Sequence, residues 1–427
     1  QFTCSLVGQY YLLVDRGGGG TTSWVGTTGG LTRRVGFYDA LHTRADGFRR
    51  TQTLDLTECG WVLGYSERFA GGADAGITAW LAHVCGWIRP IGLYDALHTS
   101  ETGRQASEPM GMNARGYAIG NSESFVSPER SGRTAWIAAP DGRTWRVGYY
   151  DPKHTAPDGF QLSQAYGINS AGEVIGSSWR FVGYGGPADW GGELYGQSTW
   201  VATVRGGIHA VGLYGPPHKK PDGFHYQGPN GTITESGYVM GTALRFNAAG
   251  EQTGQSAWLA NRAGVTRRIG FYDSEHTRSD GVIYNTVGRV NEHGLASGQA
   301  ARYAGSESRG WTAWVSGHDG PARRVGLTGP EYTDPDGSQY SVIQHVFDNG
   351  SVLGNSHRTP VTSGMAAKTF WLADADGTLT VLGDVGSATI NVAPHGVVWW
   401  GSWAYDTNTG RRIDVPGRIF GVTRQGV

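Results

Sequence analysis

The sequence predicts an all-β protein, a β-propeller of eight four-stranded blades, and three observations lead there. Glycine supplies 70 of the 427 residues and tryptophan 16, where glycine usually takes only ~7%. A phrase carrying an HT dipeptide returns along the chain at a near-constant interval. A second phrase, ending in a short run with a tryptophan, returns between its copies.

The first phrase reads RRVGFYDALHTRADGF from Arg33. It returns from Arg89, Trp145, His209, Arg267 and Arg323. Its marker residues are His42, His98, His154, His218 and His276, with Tyr332 in the sixth place, at spacings of 56, 56, 64, 58 and 56. In the unit of His154, SQAYGIN, GEVIGSSWRF, QSTWVATV and HAVGLY read as four short strands, A to D. Four antiparallel strands in a unit of this length make a propeller blade, which cannot bury both of its faces alone. The strand-C tryptophans Trp24, Trp80, Trp136, Trp200, Trp258, Trp314, Trp371 and Trp403 give the count of eight, with seven if the short last unit forms no blade. The chain opens in a strand B, and RIFGVTRQGV at its end mimics a strand A. The C-terminal strand is therefore expected to complete the first blade and close one domain over 1–427.

Composition narrows the function classes. The 35 basic and 36 acidic residues give a net charge of −1, so no global field draws the chain to nucleic acid or an anionic membrane. No apolar run approaches the eighteen residues of a membrane span. With Gln1 first and no signal pattern, an exported, monomeric protein is expected, its leader removed.

Propeller geometry places the HT phrases and the ends of strands B on one face. A histidine present in most units reads as scaffold, with the Asp four residues on accepting from it or capping the turn. The alternative is one shallow sugar or metal site per blade. Chemistry needs asymmetry, and two positions vary. The strand-A starts read Arg50, Ala106, Leu162, Tyr226, Tyr284 and Tyr340; the strand-B ends read Arg68, Ser124, Arg180, Arg245, Arg302 and Arg358. Tyr and Arg coincide only in the later units, where His225 is added. The cluster His225, Tyr226, Arg245, Tyr284 and Arg302 is thus a candidate site for an anionic polysaccharide, with Tyr340, Arg358 and Arg180 as further binding residues. Eliminating a 4-linked uronate needs Arg or His to neutralise the carboxylate and Tyr or His to move the C5 proton. No cofactor is required by that scheme.

The phrases GLYDxxHTxxDGF and NxxGxVxGxSxRF with a following AW resemble the blades of secreted bacterial ulvan lyases, and more loosely HAF-type extracellular repeats, from Arg33 to about Trp371. The resemblance implies a secreted propeller cleaving a sulfated, uronate-containing polysaccharide by β-elimination, with Tyr284, Arg302 and His225 as catalytic residues. The chain departs from that family in its blade count, eight against seven. It also carries Arg245 where the family has a second histidine. Two other readings stay open: a non-catalytic carbohydrate-binding (lectin or adhesion) propeller, and a hydrolase using two carboxylates, for which the sequence nominates no pair.

Cys4, Cys59 and Cys85 fall on the face away from the HT loops, with His83 two residues before Cys85. They read as one disulfide with a spare thiol, or as a Cys₃His zinc site; calcium is the other structural ion considered.

Overall fold

The structure, a computed structural model, describes residues 5–13, 19–27, 30, 32–128, 130–181, 196–358, 368–384, 390–393, 396–414 and 419. The chain is all-β. Among the described residues, helix occurs only as three-residue 3₁₀ turns at Ala96–His98, Ser274–His276 and Pro330–Tyr332, and no helix is long and apolar enough to cross a membrane.

The unit of His154 has the four expected strands, Ser163–Ile168, Glu173–Arg180, Gly196–Thr203 and Ile208–Val211, paired antiparallel in that order. The preceding units repeat it: Thr51–Leu56, Trp61–Ala70, Ala73–His83 and Ile88–Ile91, then Gln105–Met112, Ala118–Ser127, Arg130–Ala138 and Thr144–Arg146. The short last unit also forms four strands, Asn391–Val392, Val397–Trp400, Trp403–Asp406 and Arg411–Asp414. Among the described residues the first unit shows three, Ser5–Leu13, Gly19–Thr27 and Thr32–Val35. The expected closing strand, the Gly-rich insertion over 182–195 and Cys4 lie outside the described residues.

Two glycines explain much of the composition. The strand-C tryptophan lies across a strand-B glycine: Gly64 opposite Trp80, Gly120 opposite Trp136, Gly176 opposite Trp200. A Cβ on Gly64 would stand 2.4 Å from the Trp80 ring. The flattened site lets these three indoles lie fully buried, packed with side chains of the preceding unit. The Trp80, Trp200 and Trp371 N–H groups donate to Ser66, Ser178 and Ser356 at 3.1, 3.0 and 2.9 Å.

The second glycine, four residues before the tryptophan, joins one unit to the next. The start of strand C pairs in parallel with the start of the following strand A: Gly76 with Gln105 and Ile77 with Ala106, Gly254 with Ile283, Gly310 with Gln339. A Cβ on Gly76, Gly254 or Gly310 would lie 1.9–2.0 Å from the neighbouring carbonyl oxygen. Sheets therefore continue across unit boundaries, which the sequence reading of separate blades did not anticipate.

The chain divides into two compact bodies, Gln1–Val211 with Pro221–Gly237, and Gly212–Lys220 with Tyr238–Val427. Within each, the asparagine of the A-to-B turn clamps the next unit. Asn113 Nδ2 donates to Asn169 O and Asn169 Nδ2 to Thr234 O in the first body, at 3.1 and 2.9 Å. In the second, Asn291 Nδ2 donates to Phe347 O at 2.8 Å and Asn349 Nδ2 to Thr407 O at 3.0 Å.

Asn291 is buried, so Asn291→Ala leaves the Phe347 carbonyl without this donor. The variant is expected to lose about 1–3 kcal/mol in urea unfolding; an unchanged midpoint would show that the clamp contributes nothing.

Candidate functional site

The HT loops carry the commonest polar chemistry in the chain. His42 Nδ1 lies 2.7 Å from Asp39, and His42 Nε2 lies 2.9 Å from Thr78 Oγ1. The partner is thus the Asp three residues before the histidine. The Asp four residues after it, Asp46, instead caps the turn, accepting from Phe48 N at 3.0 Å. Arg68, at the end of strand B, donates to the same Thr78 oxygen at 3.1 Å. With Nδ1–H donating to Asp39, Nε2 accepts the threonine proton, and the threonine oxygen accepts from arginine. The loop is pinned to strand C by a closed chain of bonds.

The pattern recurs as Asp151–His154–Ser198 and Asp273–His276–Thr312. Its connectivity is that of a nucleophilic triad. Ser198, however, is 3% exposed, and the same contact is made by threonine in other units, so it is a clamp. Burial pushes the His42 and His154 pKa down against the opposing pull of their aspartates.

His218 is the exception. Its unit reads YGPPH, so Gly215 stands where the others have Asp. Its Nε2 still lies 2.9 Å from Ser256 Oγ, and Arg245 donates to that oxygen at 3.2 Å. With no carboxylate beside it, burial and then the charges of Arg245 and Arg268 bring its pKa down to about 4.

Strand alternation decides the fate of the proposed lyase cluster. In the second body Tyr284 pairs with Gln255, Ala301 with Trp311, and Trp311 with Tyr340. Tyr284 lies opposite Ala301, one step beyond the Asn285–Ala300 pair. Arg302 follows Ala301 and therefore points to the other face. There it meets Glu275 at 2.6 Å and donates to the carbonyls of Arg309 and Gly337. The proposed proton-moving Tyr and carboxylate-neutralising Arg sit on opposite faces, and the Arg is already neutralised.

The other candidates fare similarly. His225 belongs to the first body, is 5% exposed, and its Nε2 lies 3.2 Å from Ser198 Oγ. Arg180 stands by Asp151 and His154, lowering both. Arg358 pairs with Asp384 at 2.7 Å and Glu331 at 3.3 Å. Tyr226 is half-buried against strand C at Gln197, and Tyr340 stacks on His357 with ring centres 5.4 Å apart.

What the sequence reading missed lies in the first body, on the face opposite the arginine clamps. One residue per strand forms a lateral row: Arg50, Glu67, Ile77, Ala106, Glu123, Arg133. Glu67 pairs with Ile77, Ile77 with Ala106, and Glu123 with Arg133. Glu67 N donates to Arg50 O, and Glu123 lies one step beyond the Ser107–Ser122 pair. From Glu67 to Arg133 the row lines a cleft of about 380 Å³ to which Asp74, Arg104 and Glu108 also contribute. Arg104 bridges Asp74, at 2.5 Å, and Glu123, held by two contacts at 2.9 and 3.3 Å. Arg50 meets Glu67 at 3.2 Å and Arg133 meets Glu108 at 3.5 Å. Burial raises the Glu67 pKa, Arg50 opposes the rise, and the neighbouring Asp74 charge adds to it. The available signal was a glutamate directly before Arg68 and before Ser124, the equivalent position, in SERF and SESF.

Cys59 and Cys85 are both free and exposed, so no disulfide joins these two. His83 Nδ1 accepts from Cys85 N at 3.2 Å and its Nε2 lies 3.0 Å from Cys59 O. The readings that need Cys4 fall outside the described residues. Among the described residues, the donor cluster close enough for an ion is Asp273, Glu275 and His276. These are committed to the clamp and to Arg302 and Arg324.

No family model matches the chain, and no curated protein matches it. Solved structures do. A puromycin hydrolase S511A mutant is 12% identical, with a TM-score of 0.37 over 96% of this chain and 56% of that one. Prolyl oligopeptidase B from Galerina marginata is 9% identical, with a TM-score of 0.41 over 88% and 54%. An Aleuria aurantia lectin mutant is 9% identical, with a TM-score of 0.25 over 80% and 96%. The chain thus spans little more than half of the peptidase structures it matches. The expectation of β-elimination is corrected: Tyr284 and Arg302, its proton-moving and carboxylate-neutralising residues, are split between two faces of the sheet, and Arg302 is already paired with Glu275.

His218 makes a pH prediction. It stays neutral in the fold while the unfolded chain takes up a proton below 6.5, so stability is lost as pH falls from 6.5 towards 4. The loss amounts to about 3 kcal/mol at most. Nothing crowds a side chain at Gly215, so Gly215→Asp should supply the missing carboxylate, raise the His218 pKa and move acid unfolding to lower pH. An acid transition unmoved by Gly215→Asp would refute this origin.

Proposed function

We propose that the chain is a saccharide-binding protein that holds a neutral, hydroxyl-rich ligand in the cleft of the Glu67–Glu123 row. The successive four-stranded units are taken, in the same proposal, as propeller blades, eight by the tryptophan count. The observation that carries the reading is the make-up of that cleft. An apolar floor, Ile77 and Ala106, lies between two glutamates, each backed by an arginine on the next strand. Four carboxylates line the cleft against two guanidinium groups, Arg104 and Arg133.

That balance disfavours a polyanion and favours a ligand that donates hydrogen bonds. Hydroxyl groups donate to carboxylates, and charge-assisted bonds of this kind are the stronger ones. The arginines hold the carboxylates at fixed positions, so little order has to be gained on binding. The floor offers the ring carbons of a sugar a surface away from water.

Calorimetric titration of the full chain with maltohexaose, cellohexaose, xylohexaose and chitohexaose tests this, with a polyuronate as contrast. At least one neutral oligomer is expected to bind, and Glu67→Gln with Glu123→Gln to weaken it about tenfold or more. Preference for the polyuronate, or affinity unchanged in the double variant, would refute it.

A further inference from the structure

The second body carries a row at the same register, but its residues are aromatic. Along it stand Tyr284, Ala301, Trp311, Tyr340 and His357, one per strand. Tyr340 lies opposite His357, one step beyond the Ser341–Ser356 pair. Ala301 is 4% exposed and presents only a methyl group between two large rings. Tyr284 and Trp311 flank it on either side, about 9.5 Å apart at two strand spacings. Ala301 itself is covered, so the row presents aromatic rings side by side rather than an open slot.

Three facts say what could bind. Tyr284, Trp311 and Tyr340 are not buried, and Tyr340 is 37% exposed. Hydrogen bonds to the Tyr284 and Tyr340 phenols and to the Trp311 indole N–H are absent among the described residues. All three polar tips are therefore available to a ligand. The arginines near the row are matched, Arg278 with Asp280 and Arg309 with Glu307 and Asp336. Lys368, opposite His357 at the end of the row, adds a single positive charge, where a site for phosphates or a polyanion needs several.

We propose that this row is a stacking surface for a pyranose ring of a neutral saccharide, on the part-exposed rings of Tyr284 and Trp311. The π faces are negative and the C–H groups of a sugar face weakly positive, so the ring stacks while its rim hydroxyls meet the phenol and indole tips. The proposal stands on residues of the second body alone and does not depend on the charged cleft.

The test is calorimetric titration of the full chain with maltohexaose, cellohexaose, xylohexaose and chitohexaose, and separately with an oligodeoxythymidylate. At least one saccharide should bind saturably. Trp311→Ala and Tyr284→Ala should each weaken it about tenfold or more, while Trp311→Phe, which keeps a ring, stays within about threefold. Arg143→Gln, which breaks only a surface ion pair with Asp141, should leave the affinity within about twofold. If Trp311→Ala does not fold, Tyr284→Ala against Trp311→Phe carries the comparison. Three results overturn the proposal: no saturable binding of any of the four saccharides, affinity unchanged without the Tyr284 or Trp311 ring, or binding of the oligonucleotide instead of a sugar.

Discussion

Close approach of two backbones at the unit junction is the constraint on which the rest depends. A strand C can pair with the next strand A only where its side chain is missing, because the neighbouring carbonyl occupies the place of a Cβ. Glycine four residues ahead of the buried tryptophan meets that demand at Gly20, Gly76, Gly132, Gly196, Gly254 and Gly310. Gly76, Gly254 and Gly310 also adopt positive φ, which other residues adopt only with strain. Once the junction is made, the residue after each glycine is brought level with one residue on every neighbouring strand. The lateral rows, and both candidate sites, are consequences of that alignment.

The two faces of each sheet then divide the work. One face carries the histidine loops, the strand-B arginines and the strand-C hydroxyl groups, bound to one another and repeated with little variation. The other face carries the row, which changes character along the chain: charged at Arg50–Arg133, aromatic at Tyr284–His357. Repetition belongs to the scaffold, and variation marks where a ligand can be recognised. The Gly215 exception tests this division, since losing a single carboxylate leaves His218 the most acid-shifted of these histidines.

Much of the fold was legible in the sequence, because each unit repeats a tryptophan, two glycines and a turn at fixed offsets. The strand runs in the unit of His154 follow directly from those phrases. The site was less legible. Tyr284 and Arg302 were grouped as the strand ends of one unit, yet a one-residue difference in register puts them on opposite faces. The carboxylates of the cleft come from strands and loops as far apart as Glu67 and Glu123. They meet through a parallel junction that no local pattern announces. The histidine partner was misplaced for a similar reason: Asp39 and Asp46 both flank His42 in the sequence, and only the turn geometry selects Asp39.

The most direct test compares two glycines by equilibrium unfolding. Gly254→Ala places a Cβ against the Ile283 carbonyl, at a positive φ, whereas Gly215→Ala meets open space. If the junction holds the units in register, Gly254→Ala should cost about 3 kcal/mol or more beyond Gly215→Ala. Equal stability of the two variants would contradict the account.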